Sequence, residues 1–217
     1  GATISNALDD ELMANITNYA SLQSQIAAYL NRQDLTDQIP VFIQFVEADV
    51  NTQLRAREQI VRSRATSSAE FVSLPNDWLE AISFRIVGGM SPLRFVTLDQ
   101  ANVIKDNSEY TDVSFYSLMD GAIELVPAPA VDVEIEMVYY ASIPTLSTSN
   151  TTNWLLTKAP DIYLYGALVH ASPFLMDDQR TALFAGLFTS RLSALQDAST
   201  KGQHSGGPLL VRTRSHY

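Results

Sequence analysis

Asp132, Glu134 and Glu136 occupy every second position of one segment, and closely spaced carboxylates are the first residues to test for acid–base chemistry. Period-two spacing puts all three on one face of a strand, where like charges repel one another. That arrangement suits a solvated face, or an electronegative wall, better than a catalytic pair. The histidines are scattered. His170 lies in an apolar stretch and reads as a satisfied structural side chain, while His204 and His216 fall near the C-terminus. No acidic run has the ligand spacing and central glycine of a calcium loop. Nor is there a nucleophile elbow, a phosphate-cradling glycine loop or a dinucleotide fingerprint. Ser205-Gly206-Gly207-Pro208 follows no strand and opens no helix, so it reads as a spacer. Arg55, Arg57, Arg62 and Arg64 form the densest basic cluster. Pairing with neighbouring acids is their expected use, and phosphate contact is the alternative. No catalytic residue, metal ligand or cofactor is expected.

Composition narrows the classes further. The 217 residues carry a net charge of −10, with 46% hydrophobic and only 18% charged residues, which leaves much uncharged surface for contacts. Cysteine is absent, which excludes disulfides and thiolate catalysis. Residues Gly1–Leu54 and Ala65–Ala198 are acidic, whereas Arg55–Arg64 and Ser199–Tyr217 are basic. An acidic body lacks the clustered cations that sequence-specific DNA binding needs. No apolar run approaches the roughly 20 residues of a membrane span. The N-terminus shows no signal-peptide pattern, and folding in the cytoplasm of the producing cell is expected.

The elements follow from periodicity. Tyr19, Leu22, Ile26 and Tyr29 or Leu30 share one helical face, capped by Thr17, in a helix over Asn18–Asn31. A second helix, capped by Thr36 with Pro40 in its first turns, buries Ile39, Phe42, Ile43, Val46, Val50 and Leu54. From Glu58 the period changes to strands. Ile60–Arg64 and Glu70–Ser73 are two of them. Ser83–Val87 and Leu93–Val96 read as a hairpin across Gly88-Gly89, and Val113–Leu118 with Ala122–Val126 as another. Val131–Tyr140 is apolar on one face and acidic on the other, and Leu98–Asp106 is a short helix. Helical patterns return with a turn at Trp154, capped by Asn153 or Thr152. Next comes an all-round apolar helix from Asp161 to Met176, bent or ended by Pro173. A last helix from Asp177-Asp178 turns Leu183, Phe184, Leu187, Phe188, Leu192 and Leu195 inward and stops at Lys201-Gly202. The expected fold is α+β. Residues 1–57 and 144–198 pair N- and C-terminal helical hairpins into a four-helix body, with an antiparallel β-domain over 58–143 and a flexible tail over 199–217.

Three stretches carry a family resemblance. They are Ile16-Thr17-Asn18-Tyr19 through Glu47-Ala48; Val72-Ser73-Leu74-Pro75-Asn76-Asp77-Trp78; and Asn153-Trp154-Leu155-Leu156 with Ala159-Pro160-Asp161-Ile162-Tyr163-Leu164-Tyr165-Gly166. In order and spacing the chain resembles the head-to-tail adaptors of short-tailed bacteriophages, the tail tubular protein A-like proteins. The resemblance implies a dodecameric virion ring between portal protein and tail nozzle protein, in the neck region, assembled in the host cytoplasm. DNA passes through such a ring without specific binding, and no membrane is involved. On that basis Leu209, Leu210, Val211, Arg212 and Arg214 are expected to dock on the portal by strand addition, and Asp132, Glu134 and Glu136 to line the DNA channel. Two other readings remain: another head- or tail-completion ring protein, and a hydrolase with an unrecognised site.

Overall fold

The computed structural model describes residues 16–107, 109–175 and 178–204 and is α+β. The chain divides into two compact units: residues up to Glu58 together with those from Ile143 on, and an inserted unit over Gln59–Ser142.

The first unit is helical. Helix α1 (Tyr19–Leu30) begins one residue later than expected, because Asn18 rather than Thr17 caps it. Asn18 Oδ1 accepts the Ser21 amide, while Ser21 Oγ accepts the Asn18 amide, both at 2.9 Å. Thr36 does not cap the second helix as expected. A 3₁₀ turn over Gln33–Gln38 runs directly into α2 (Ile39–Gln53), so no side chain is needed there. Asn153 does cap α3 (Trp154–Lys158), its Oδ1 accepting the Leu156 amide at 2.8 Å. Helix α4 (Pro160–Leu175) carries Pro173 within it. Helix α5 (Asp178–His204) passes the expected stop at Lys201-Gly202. A Cβ on Gly202 would lie 2.8 Å from the Arg57 guanidinium, so this glycine makes room for that side chain rather than ending the helix. Leu183, expected inside, is 59% exposed, while Phe188 and Leu192 of the same helix are buried.

These helices share one core. Leu22, Ile26, Ile39, Phe42, Ile43, Val46, Tyr163, Leu164 and Leu168 are almost completely buried in it. Helix α4 runs through its middle, which explains why that sequence is apolar on every side. Its closest approach is at Gly166. An added Cβ there would sit 2.7 Å from Val46 Cγ2 and 3.0 Å from the Phe188 ring. Gly166→Ala gains helix propensity, about 1 kcal/mol, but the stiff, buried Val46 has no room to move. Overpacking of about 1–3 kcal/mol should therefore win. Chemical denaturation should show a net loss for Gly166→Ala, with the loss largely cancelled against a Val46→Ala background. A more stable single variant would refute this packing.

The inserted unit is two sheets packed face to face. The first has strand order β1 (Ile60–Ser67), β7 (Val133–Ala141), β3 (Trp78–Ile86), all antiparallel. The second has order β2 (Phe71–Ser73), β6 (Ala122–Val126), β5 (Phe115–Met119), β4 (Arg94–Phe95). Val72, Phe84, Ile123, Leu125, Ile135 and Met137 come from both sheets and fill the space between them. The β5–β6 hairpin closes as expected on Asp120-Gly121, with Gly121 in the left-handed region at φ 70°.

The expected hairpin of Ser83–Val87 with Leu93–Val96 is not made. It survives only as one bridge, Arg85 to Pro92, and one bond from the Leu93 amide to the Phe84 carbonyl. Past the Leu93 bond the chain leaves the edge of β3. The chain crosses instead to the second sheet, where β4 pairs parallel with β5. The unit is therefore mixed rather than wholly antiparallel. The expected short helix forms as α6 (Leu98–Lys105), with a Thr97–Gln100 capping box.

Candidate functional site

Glu134 and Glu136 lie on β7 and Asp132 beside it. Register places Glu136 opposite Arg64 on β1 and Arg85 on β3. Arg64 donates to Glu136 Oε2 at 2.9 Å and lies 3.5 Å from Glu134, and Arg62 lies 3.8 Å from Glu136. Glu136 is buried at 5% exposure beneath these guanidinium groups. The face therefore alternates in charge from strand to strand. Arg62 and Arg64 offset part of the repulsion that period-two spacing implied, with Arg85 opposite Glu136 in register. Asp132 precedes the strand and is exposed.

The arginine cluster serves mainly as ion-pair partner. Arg57 pairs with Glu58 at 3.1 Å, and Arg62 and Arg64 hold Glu134 and Glu136. Arg55 donates instead to the carbonyls of Asn51 and Leu54, at 2.8 and 2.7 Å, where the dipole of α2 favours a cation. His170 has a partner that the sequence did not reveal. Its Nε2 lies 2.9 Å from Asp49 Oδ2, and its ring packs 5.4 Å from that of Phe45. Among the described residues, no three His, Asp or Glu side chains are close enough together to hold a metal ion. Among them too, no helix is long and apolar enough to cross a membrane. Leu209, Leu210, Val211, Arg212 and Arg214 lie outside the described residues, as does His216.

Two buried polar clusters escaped the sequence reading. In the helical unit, Glu47 Oε1 accepts the Leu146 amide at 2.8 Å and the Tyr163 hydroxyl at 3.1 Å. Tyr163 in turn accepts from Asn153 Nδ2 at 2.8 Å, and Asn153 donates equally to the Pro144 carbonyl. This network, with Asn51 Oδ1 accepting the Ile143 amide, fastens residues 143–153 onto α2 and α4. The signal was available: Glu47 is four residues after Ile43 and three before Val50, on the buried face. In the inserted unit, Lys105 reaches both Glu70 and Glu124, and Ser117 Oγ donates to Glu124 at 2.5 Å. Burial pushes the Glu124 carboxyl up, but the bonds from Lys105 and Ser117 outweigh it and hold the group below its ordinary range. Both clusters are fully used in holding structure, and neither opens onto a cavity with a nucleophile.

Glu47 makes a testable contribution to stability. Burial raises its pKa, the bonds from Leu146 and Tyr163 only partly offset this, and among the described residues no basic side chain pairs with it. A carboxyl with a raised folded value stabilises fully below its unfolded pKa, and that contribution is lost as pH rises through the folded value. Glu47→Gln keeps the accepting oxygen and removes the charge. Its melting temperature should exceed that of the parent at pH 7, with the gap closing as pH falls into the ordinary carboxylate range. A gap that widens toward acid would contradict this.

Among the described residues these features describe a scaffold, with polar groups used mainly to hold structure and surfaces joined by ion pairs. No curated protein matches the chain. The family model for the SU10 adaptor protein matches residues 17–212, nearly the whole sequence. The chain belongs to the SU10 adaptor protein family, a family of structural bacteriophage adaptors of the virion neck.

Proposed function

We propose that this adaptor is a ring subunit that joins the portal protein to the tail nozzle protein and surrounds the DNA passage, in the manner of tail tubular protein A. The observation that carries this reading is the family match across both the helical and the inserted units. In this reading the four long helices, α1, α2, α4 and α5, make the body of each subunit. Copies close into a dodecameric ring in the neck, assembled in the host cytoplasm. DNA moves through it during ejection without specific contacts, and no enzymatic step is involved. Asp132, Glu134 and Glu136 line the passage. Interleaved with Arg62, Arg64 and Arg85, they give a wall of nearly balanced charge, which neither grips phosphates nor strongly repels them.

Leu209, Leu210, Val211, Arg212 and Arg214 dock on the portal. Three apolar residues followed by alternating arginines suit addition to a partner's strand with acidic neighbours. The core of the helical unit, as formed by the described residues, lies within 16–195, and Leu209–Tyr217 lies outside the described residues. With Leu209–Tyr217 deleted, the melting temperature should therefore stay within about 2 °C of the full chain, as for surface changes of less than 0.5 kcal/mol. Loading onto purified portal-bearing heads, read by sedimentation, should fall at least about tenfold, the equivalent of 1.4 kcal/mol. Full loading by the truncated chain would move the dock to the helical body.

A further inference from the structure

The inserted unit has four sheet edges, and three are blunted. β2 and β4 are three and two residues long. β3 is irregular, with two register shifts in its pairing with β7, and its outer edge is covered at one end by Pro92 and Leu93. These are the usual ways in which a sheet avoids pairing with another chain. The fourth edge is different. β1 runs for eight residues, Ile60–Ser67, in unbroken register with β7. It contains no proline and no bulge. Among the described residues, no backbone bond is made along its other side.

Arginines often guard such an edge, and here Arg62 and Arg64 both reach toward Glu136 of β7, at 3.8 and 2.9 Å. They also mark what would fit beside β1. Across this sheet one face reads Arg85 on β3, Glu136 on β7 and Arg64 on β1. The next strand in that sequence of charges is acidic. Arg62 is 68% exposed and only loosely held at 3.8 Å, so it has capacity for a second carboxylate. On the opposite face Val61 and Ala65 pack at the margin of the core, and small apolar residues beside them would extend it. Cross-strand pairs of opposite charge and of apolar type are what stabilise added strands.

We infer that the outer edge of β1 is a docking site for an extended segment of a partner protein, with carboxylates at alternate positions and apolar residues between them. The surface goes beyond the ring reading and does not depend on it. β7 itself has this pattern, so a synthetic peptide of residues 131–138, Val-Asp-Val-Glu-Ile-Glu-Met-Val, is a suitable probe. The control peptide replaces its three acids with lysine.

The full chain is mixed with each peptide, and amide hydrogen exchange is followed residue by residue. The acidic peptide should slow alternate amides of Ile60–Ser67 at least about tenfold. The lysine peptide should leave them unchanged. Arg62→Glu, checked for an unaltered melting temperature, should lose the protection by the acidic peptide. The peptide comparison uses unaltered protein, so it stands even where that variant unfolds. Three outcomes would overturn the proposal: no protection, equal protection by both peptides, or protection confined to another edge. Concentration-dependent protection of β1 without peptide would also overturn it, by placing a second copy of the chain there.

Discussion

Tyr163→Ala should destabilise the helical unit by about 3–5 kcal/mol, the range for removing a large buried aromatic side chain. Tyr163 is fully buried where α4 crosses the core, so truncation leaves a cavity walled by helices that cannot all collapse into it. It also removes the hydroxyl that donates to Glu47 and accepts from Asn153, leaving a buried carboxylate with one donor fewer. Burial and the adjacent Glu47 hold the Tyr163 hydroxyl protonated far above neutral pH, so its role as donor is fixed. Tyr163→Phe separates the two contributions, since it keeps the ring and should cost only about 1–2 kcal/mol. Urea unfolding followed by circular dichroism at the helical band measures both. A loss below about 1 kcal/mol for Tyr163→Ala would show that this network does not hold the core.

Phe84→Ala should cost the inserted unit about 3–5 kcal/mol. Phe84 is fully buried on β3, and its ring meets that of Tyr116 on β5 with centroids 4.7 Å apart. That contact joins one sheet to the other, and an aromatic pair adds about 0.5–1.5 kcal/mol beyond its buried area. Because each unit has its own core, the damage should be local. Hydrogen exchange should accelerate in β3, β5, β6 and β7, while amides of α2 and α4 keep their protection. Uniform acceleration throughout the chain would mean that the two units unfold as one.

Much of this was legible in the sequence, for reasons that differ by element. The stripe of α2 and the alternation of β7 were readable because burial on one face imposes a period on the residue types. Asn153 was readable as a cap because its chemistry is local. The crossover of β4 was not. Gly88-Gly89 signals a turn, but the edge of β5, a strand some twenty residues further on, decides where the chain goes next. Gly202 misled for a similar reason. A glycine near a helix end suggests a stop, whereas here it accommodates Arg57, a residue distant in sequence. The acidic face of β7 was placed correctly, but its charge balance was not, since Arg64 and Arg85 come from strands whose register the sequence does not state. Glu47 could have been found. Its position among Ile43, Val46 and Val50 marks it as buried, and a buried acid requires donors.

The closed ring proposed for this adaptor would sit at the junction of head and tail. Image reconstruction of the particle neck, with the chain identified by a fused density tag, tests it most directly. Tagged copies should be arranged in a closed, dodecameric ring between portal and nozzle, around an axial DNA passage. Tagged protein present as isolated single copies, or absent from the neck of complete particles, would contradict it.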